Sequence, residues 1–287
     1  MRHGALVTLP GGLWLDGSRH REAAIRPLTG DDEAWLLEAG GMLPASRSTA
    51  LLARCLTRVG PCTNVTPELA RSLSVGDREA LLLQLRRLTL GDDLPCTVTC
   101  PGVACGERLD LQLRVGDLLL PPYPEWPPCH LRTWTTDGAV VRARFRVPTG
   151  ADQEAAAVAA AAGDPAGGAS LLLRRCVEDL DPPGGPPETV PEDMAERLDA
   201  IMAELDPQAE LRLGMRCPQC GLEFSTVLDT GGCLFEEVTG RAHHLYREVH
   251  LLALHYHWGE RELMGMTGSD RARYLGLLGE ALAGVGR

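Results

Sequence analysis

The chain has 287 residues, 44% of them hydrophobic, and a formal net charge of −11 in which every Lys-or-Arg cation is arginine. Such a chain buries a core of ordinary size and is not disordered throughout, and its acidic balance argues against a nucleic-acid footprint, which needs clustered cations. No apolar run approaches the ~20 residues of a membrane span, and the first apolar stretch breaks at Pro10-Gly11-Gly12, so the expectation is a cytoplasmic protein.

The first part, to about Gly91, reads as mostly helical. Thr29-Gly30-Asp31-Asp32 has the form of a capped helix start with an acidic first turn. Ser48 to Val59 repeats Leu51, Leu52, Cys55, Leu56 and Val59 at helical spacing. Thr66-Pro67-Glu68 opens a short helix, and Ser74-Val75-Gly76-Asp77 opens a stronger one carrying Leu81, Leu82, Leu85 and Leu88 on one face. From Cys96 the period changes: Glu107 to Val115 alternates polar and apolar, as a half-buried strand does. The proline-rich Leu120 to Pro128 is an extended connector.

Val140 to Val147 reads as a further strand, ended by Pro148-Thr149-Gly150, with helices over Asp152 to Ala162 and Ala169 to Glu178. Asp181 to Pro187 reads as a mobile Pro/Gly link. Thr189-Val190-Pro191-Glu192 is a capping-box pattern opening an acidic helix with Leu198, Ile201, Met202 and Leu205 inward. Gly240 to Met266 has a helical period with a break near Gly259, and Ser269-Asp270 caps a final helix. No internal repeat is legible apart from two cysteine knuckles.

Those knuckles carry the chemistry. Cys100-Pro101-Gly102-Val103-Ala104-Cys105-Gly106 and Cys217-Pro218-Gln219-Cys220-Gly221 share the pattern Cys-Pro…Cys-Gly. A tight turn aims two thiolates at one metal, and glycine after the second cysteine lets the backbone turn without a Cβ clash. Strand-like sequence flanks each pair, so Cys100, Cys105, Cys217 and Cys220 are predicted to hold one structural Zn2+ in a zinc ribbon. About 110 residues separate the pairs, against roughly 15–20 in an ordinary module, so the intervening chain is read as an insertion. A redox pair is the lesser reading, because neither pair precedes a helix-like run that would lower a thiol pKa. Four cysteine ligands leave no open position for substrate. Cys55, Cys62, Cys129, Cys176 and Cys233 stand apart as buried or neutral thiols.

The second candidate is the set His243, His244, His250, His255 and His257, with Glu248, Glu260 and Glu262. The pattern His-Glu-x-x-His is absent, so an amphipathic helix is preferred over a metallohydrolase. Asp31-Asp32 and Asp92-Asp93 sit at expected helix termini, where capping explains them better than acid/base catalysis.

Ser72 to Asp92, leading into the first knuckle, and Glu248 to Leu263, following the second, together resemble the T4-type baseplate protein family, encoded beside contractile tails of phages and phage-like extracellular injection systems. The resemblance covers most of the chain except Ala151 to Pro187, and departs from the pattern at Gly259 and in the longer first knuckle. It implies a role in building a baseplate or hub through contacts with baseplate, hub or spike proteins, without enzymatic activity. The expected fold is α+β: an N-terminal helical region (1–95), a first zinc-ribbon hairpin (96–119), a mixed α/β insertion (120–208), a second hairpin (209–230) and C-terminal helices (231–287). The alternative function is a nucleic-acid-binding zinc-ribbon protein.

Overall fold

The computed structural model describes residues 4–136, 139–181 and 192–285. Its first half opens with an antiparallel hairpin, β1 (Ala5–Leu15) and β2 (Ser18–Ile25), turned at Asp16-Gly17, both with positive φ as a two-residue hairpin turn requires. Helices α1 (Gly30–Glu38) and α2 (Pro44–Cys55) follow, and β3 (Leu56–Val59) returns beside β2, giving the order β1-β2-β3. The expected N-terminal helices are therefore joined by a sheet that the sequence reading passed over. Ser48 to Val59 is not one helix, because Leu56 and Val59 bury their side chains from a strand. Three apart is a helical spacing, and the strand buries both because the pairing with β2 shifts register at Thr57, which turns Leu56 and Val59 to the same side.

The short α3 (Pro67–Ser72) and long α4 (Val75–Leu90) come next, capped by Thr66 and Ser74 as predicted, Ser74 Oγ accepting from Asp77 N at 3.1 Å. The first knuckle hairpin is β4 (Asp93–Thr99) and β5 (Arg108–Arg114), followed by the single turn α5 (Val115–Leu118). The proline-rich connector crosses β1, where Tyr123 N donates to Pro10 O and Trp14 Nε1 to Trp126 O.

The second half is β6 (His130–Thr136), β7 (Ala139–Phe145), α6 (Gly150–Ala161), α7 (Pro165–Cys176), β8 (Val177–Asp181), α8 (Glu192–Leu205) and the second knuckle hairpin, β9 (Arg212–Arg216) with β10 (Glu223–Val227). The Pro/Gly link from 182 and the capping pattern at 189–191 lie outside the described residues. The expected end of a strand at Pro148-Thr149-Gly150 is also the start of α6, Thr149 and Asp152 closing a capping box.

These two halves repeat one another, which corrects the absence of a repeat in the sequence reading. Both run β-β-α-α-β, with sheet orders β1-β2-β3 and β6-β7-β8. Arg26 N donates to Cys55 O, and Arg146 N to Cys176 O, each at 3.0 Å. Asp32 pairs with Arg26 and Arg54, and Asp152 with Arg146 and Arg175. Leu198 and Met202 of α8 cover the second sheet, and stand as far along the chain ahead of Cys217 as Leu81 and Leu85 of α4 do ahead of Cys100. What recurs is position and burial, with little identity between the residues that fill it.

The last four helices are α9 (Thr230–Ala242), α10 (Leu245–Tyr256), α11 (Glu260–Met264) and α12 (Gly268–Val285). The run from Gly240 to Met266 is parts of three helices: the expected break near Gly259 lies between α10, which ends at His257 in the left-handed region, and α11, and a second break, not foreseen, separates α9 from α10. Thr267, not Ser269-Asp270, caps α12: its Oγ1 accepts from Asp270 N at 3.2 Å.

α4 and α12 dock by the same device. Ser74 bridges Thr149 at the start of α6, and Thr267 bridges Thr29 at the start of α1. Gly150 N donates to Leu73 O, and Gly30 N to Met266 O. One turn later, Arg78 and Arg271 lie buried beneath those glycines, where a Cβ on Gly150 would stand 2.5 Å from Arg78 Nη1 and one on Gly30 3.1 Å from Arg271 Nη1.

Where the halves meet, Asp77 accepts from Gly11 N and Gly12 N at 2.8 Å, and Asp206 accepts from Gly76 N and the Tyr123 hydroxyl. Burial, then the neighbouring Asp206, raises the Asp77 carboxyl to about 7. Asp152 is the opposite case: burial disfavours its charge, yet the Arg146 guanidinium and Thr149 donors hold it at about 2. A raised acid contributes stability below its unfolded pKa and loses it as pH rises through its folded one, while a lowered acid loses its contribution as pH falls. Stability is therefore expected to peak near pH 4, falling as pH rises from about 4 to 7 through Asp77 and as pH drops from about 4 to 2 through Asp152, each pKa unit being about 1.4 kcal/mol. Melting temperature against pH checks this. Asp77→Asn should flatten the limb between about pH 4 and 7, and Asp152→Asn the limb below about pH 4; unchanged limbs would refute the assignment.

Candidate metal centre

Each knuckle is built by local backbone geometry. Cys100 N donates to Glu107 O at 2.8 Å and Cys217 N to Leu222 O at 2.9 Å, closing the two turns alike. Gly106 (φ +63°) and Gly221 (φ +74°) follow the second cysteine in the left-handed conformation, the role foreseen for them. Alanine at Gly221 is expected to cost about 1–2 kcal/mol, through left-handed strain on a β-carbon, while metal still binds. Denaturation with metal analysis checks it.

The hairpins rest on α4: Leu83 packs with Leu94 and Val115 of the first hairpin's flanks and with Leu228 after the second. That platform brings together cysteines more than a hundred residues apart. Cys100 Sγ lies 3.7 Å from Cys220 Sγ and Cys105 Sγ 3.7 Å from Cys217 Sγ, with all four sulfurs within 4.8 Å of one another. A disulfide needs sulfurs about 2.05 Å apart. Four thiolates around a tetrahedral ion at about 2.3 Å stand about 3.8 Å from each other. The spacing is compatible with a metal site.

The electrostatics agree. Backbone N–H groups of Cys220 and Gln219 favour the Cys217 thiolate, which titrates at about 7. Although the Gly102 N–H favours its thiolate, Cys100 is pushed up to about 12 by burial and by the sulfurs around it. Four sulfurs this close do not share four negative charges without a cation between them.

Among the described residues, these cysteines are the one group of three or more His, Cys, Asp or Glu side chains with donors close enough for a metal. The histidines do not converge in this way: His257 ends α10, and Glu248 accepts from Arg271. Of the isolated thiols, Cys55 and Cys176 are fully buried and pushed up to about 12 by burial, and Cys233 to about 11. Asp32 serves the α1 capping box and Asp92 pairs with Arg87 and Arg114, consistent with structural roles. Arg78 and Arg271, both buried and hydrogen-bonded, are structural anchors that no sequence expectation named. The recurring Ser/Thr-x-x-Asp-Arg at 74–78 and 267–271 is the signal that could have found them.

No helix among the described residues is long and apolar enough to cross a membrane. A family model described as T4 bacteriophage base plate protein matches residues 15–179, more than half of the chain, from the end of β1 into β8. No curated protein and no solved structure matches the chain.

Proposed function

Because the chain belongs to the T4 bacteriophage base plate protein family, we propose that it is a non-enzymatic structural or assembly component of a contractile tail or injection-system baseplate, held together by one zinc ion. The family match over residues 15–179 carries the assembly part of this reading. The zinc part rests on the four convergent sulfurs, a closed donor set suited to structural zinc and offering no coordination position for a reacting molecule.

In this reading Cys100 and Cys105 hold the ion from the first half, and Cys217 and Cys220 from the second. The metal closes a loop of more than a hundred residues, so the halves stay in register for contacts with baseplate, hub or spike proteins. Assembly takes place in the cytoplasm, where a reducing environment keeps such thiols free for metal.

Co-expression with the neighbouring baseplate and spike proteins, followed by purification, tests the assembly reading: a stable complex is expected, and none would remove it. Elemental analysis tests the metal, with one zinc per chain expected. Salt-independent failure to bind duplex DNA separates this reading from a nucleic-acid-binding ribbon, whose phosphate contacts are strongest at low salt.

A further inference from the structure

α4 and α12 begin with the same docking device but end in different surroundings. Aligned on Arg78 and Arg271, Leu82 corresponds to Leu275, Leu83 to Gly276, Leu85 to Leu278, Arg86 to Gly279 and Thr89 to Leu282. On α4 the residues Leu82, Leu83, Leu85 and Arg86 are all buried. On α12, Leu282 is 54% exposed and neighbouring Leu277 50%, and a Cβ on Gly276 or Gly279 would meet nothing within 4 Å. Beside this bare face lies a groove of about 480 Å³ between α10 and α12, floored by Leu251, Leu278 and Leu282 and edged by His244, Arg247 and His255.

The chain itself indicates what fits there. On α4 the equivalent face is covered by α9, whose Leu234, Phe235 and Val238 join Leu81, Leu82 and Leu85 in one core, and whose Glu237 pairs with Arg86 at 2.8 Å. The occupant of that face is a helix with an apolar stripe and an acidic flank. The groove on α12 asks for the same chemistry: an apolar floor, room in place of two side chains, and a rim of Arg247, His244 and His255. The acidic rim residue, Glu248, is already bound to Arg271 at 2.9 Å. The chain's own acidic amphipathic helix, α8, buries Leu198 and Met202 in the second half and is not free to serve.

We propose that the α10–α12 groove receives an acidic amphipathic helix of another protein, seated as α9 is seated on α4. This rests on the assembly reading above and names the chemistry of the partner. The complex forms by burying aliphatic and aromatic side chains against Leu278 and Leu282, while acidic side chains meet Arg247 and the two histidines.

The probe is a fluorescent helix-forming peptide of about 18 residues, five turns, with a Leu/Phe stripe and glutamate flanks, and a twin with lysine flanks. Anisotropy titration against the full chain is expected to show the glutamate peptide binding about tenfold or more tighter than its twin. Leu282→Glu and Gly279→Trp, both at exposed positions, should each weaken the glutamate peptide about tenfold with the melting temperature unchanged. Equal affinity for the two peptides, or indifference to both substitutions, overturns the proposal. So does a dimer seen by light scattering that Leu282→Glu abolishes, since a second copy would then fill the groove. If baseplate proteins co-purify with the wild-type chain and equally with Leu282→Glu, the groove fails while the assembly reading stands. If nothing co-purifies with the wild type, but the peptide results hold, the assembly reading fails instead.

Discussion

Cys217→Ser is expected to lose the metal and unfold the junction between the two hairpins, with the steepest fall in stability of any single substitution in the chain. Its sulfur stands 3.7 Å from that of Cys105 and is 1% exposed as a residue, so serine leaves three thiols without a tetrahedral fourth. Binding of structural zinc by four thiolates amounts to about 10–16 kcal/mol in small domains, and that free energy is folding free energy. β4-β5 and β9-β10 are separate two-stranded sheets, and a lone hairpin is marginal in water. Their apolar contacts with α4 are expected to supplement a bound metal without replacing it. Chelation of the wild-type chain should reproduce the effect and added zinc should reverse it. The measurement is thermal or denaturant unfolding paired with metal analysis. A Cys217→Ser chain melting with the wild type would remove the structural role of the metal, and with it the reason for the two knuckles to meet.

Arg271→Ala is expected to cost about 3–5 kcal/mol, the usual result of removing one partner from a buried ion pair. The guanidinium is 2% exposed and donates to Glu33 at 2.6 Å, Glu248 at 2.9 Å and the Met266 carbonyl at 2.9 Å, fastening α12 to α1 and α10. Burial already pushes the Glu33 carboxyl up, against the pull of Arg271, so without the cation its protonated form is favoured further. The loss should therefore shrink as pH is lowered, and Glu33→Gln in the same chain should recover part of it. Denaturant unfolding of the single and double variants checks this: a loss under 1 kcal/mol, or equal loss in both backgrounds, would mean that apolar packing alone holds α12.

The two substitutions separate what is local from what is not. The four-cysteine cluster was legible because metal chemistry restricts residue identity: paired thiols at turn spacing followed by glycine are a recognisable signature, and Cys100, Cys105, Cys217 and Cys220 carry it. The caps at Thr29, Thr66 and Ser74 were legible for the same reason, since a hydroxyl must lie within a turn of the N–H it satisfies. β3 was not. Leu56 and Val59 continue the helical spacing of α2, and only the backbone of β2 beside them makes the segment a strand.

The sequence, read alone, pointed to the four cysteines that converge and to the baseplate family, both of which live in residue types at short separations. Tertiary structure decided that the chain between the knuckles is a second copy of the first half's order of elements, that Arg78 and Arg271 are buried clasps, and that α12 leaves bare a face that α4 has covered. Burial is a property of what arrives from elsewhere in the chain: Leu82 and Leu275 are the same residue at the same place after an arginine, and α9 crosses only one of them.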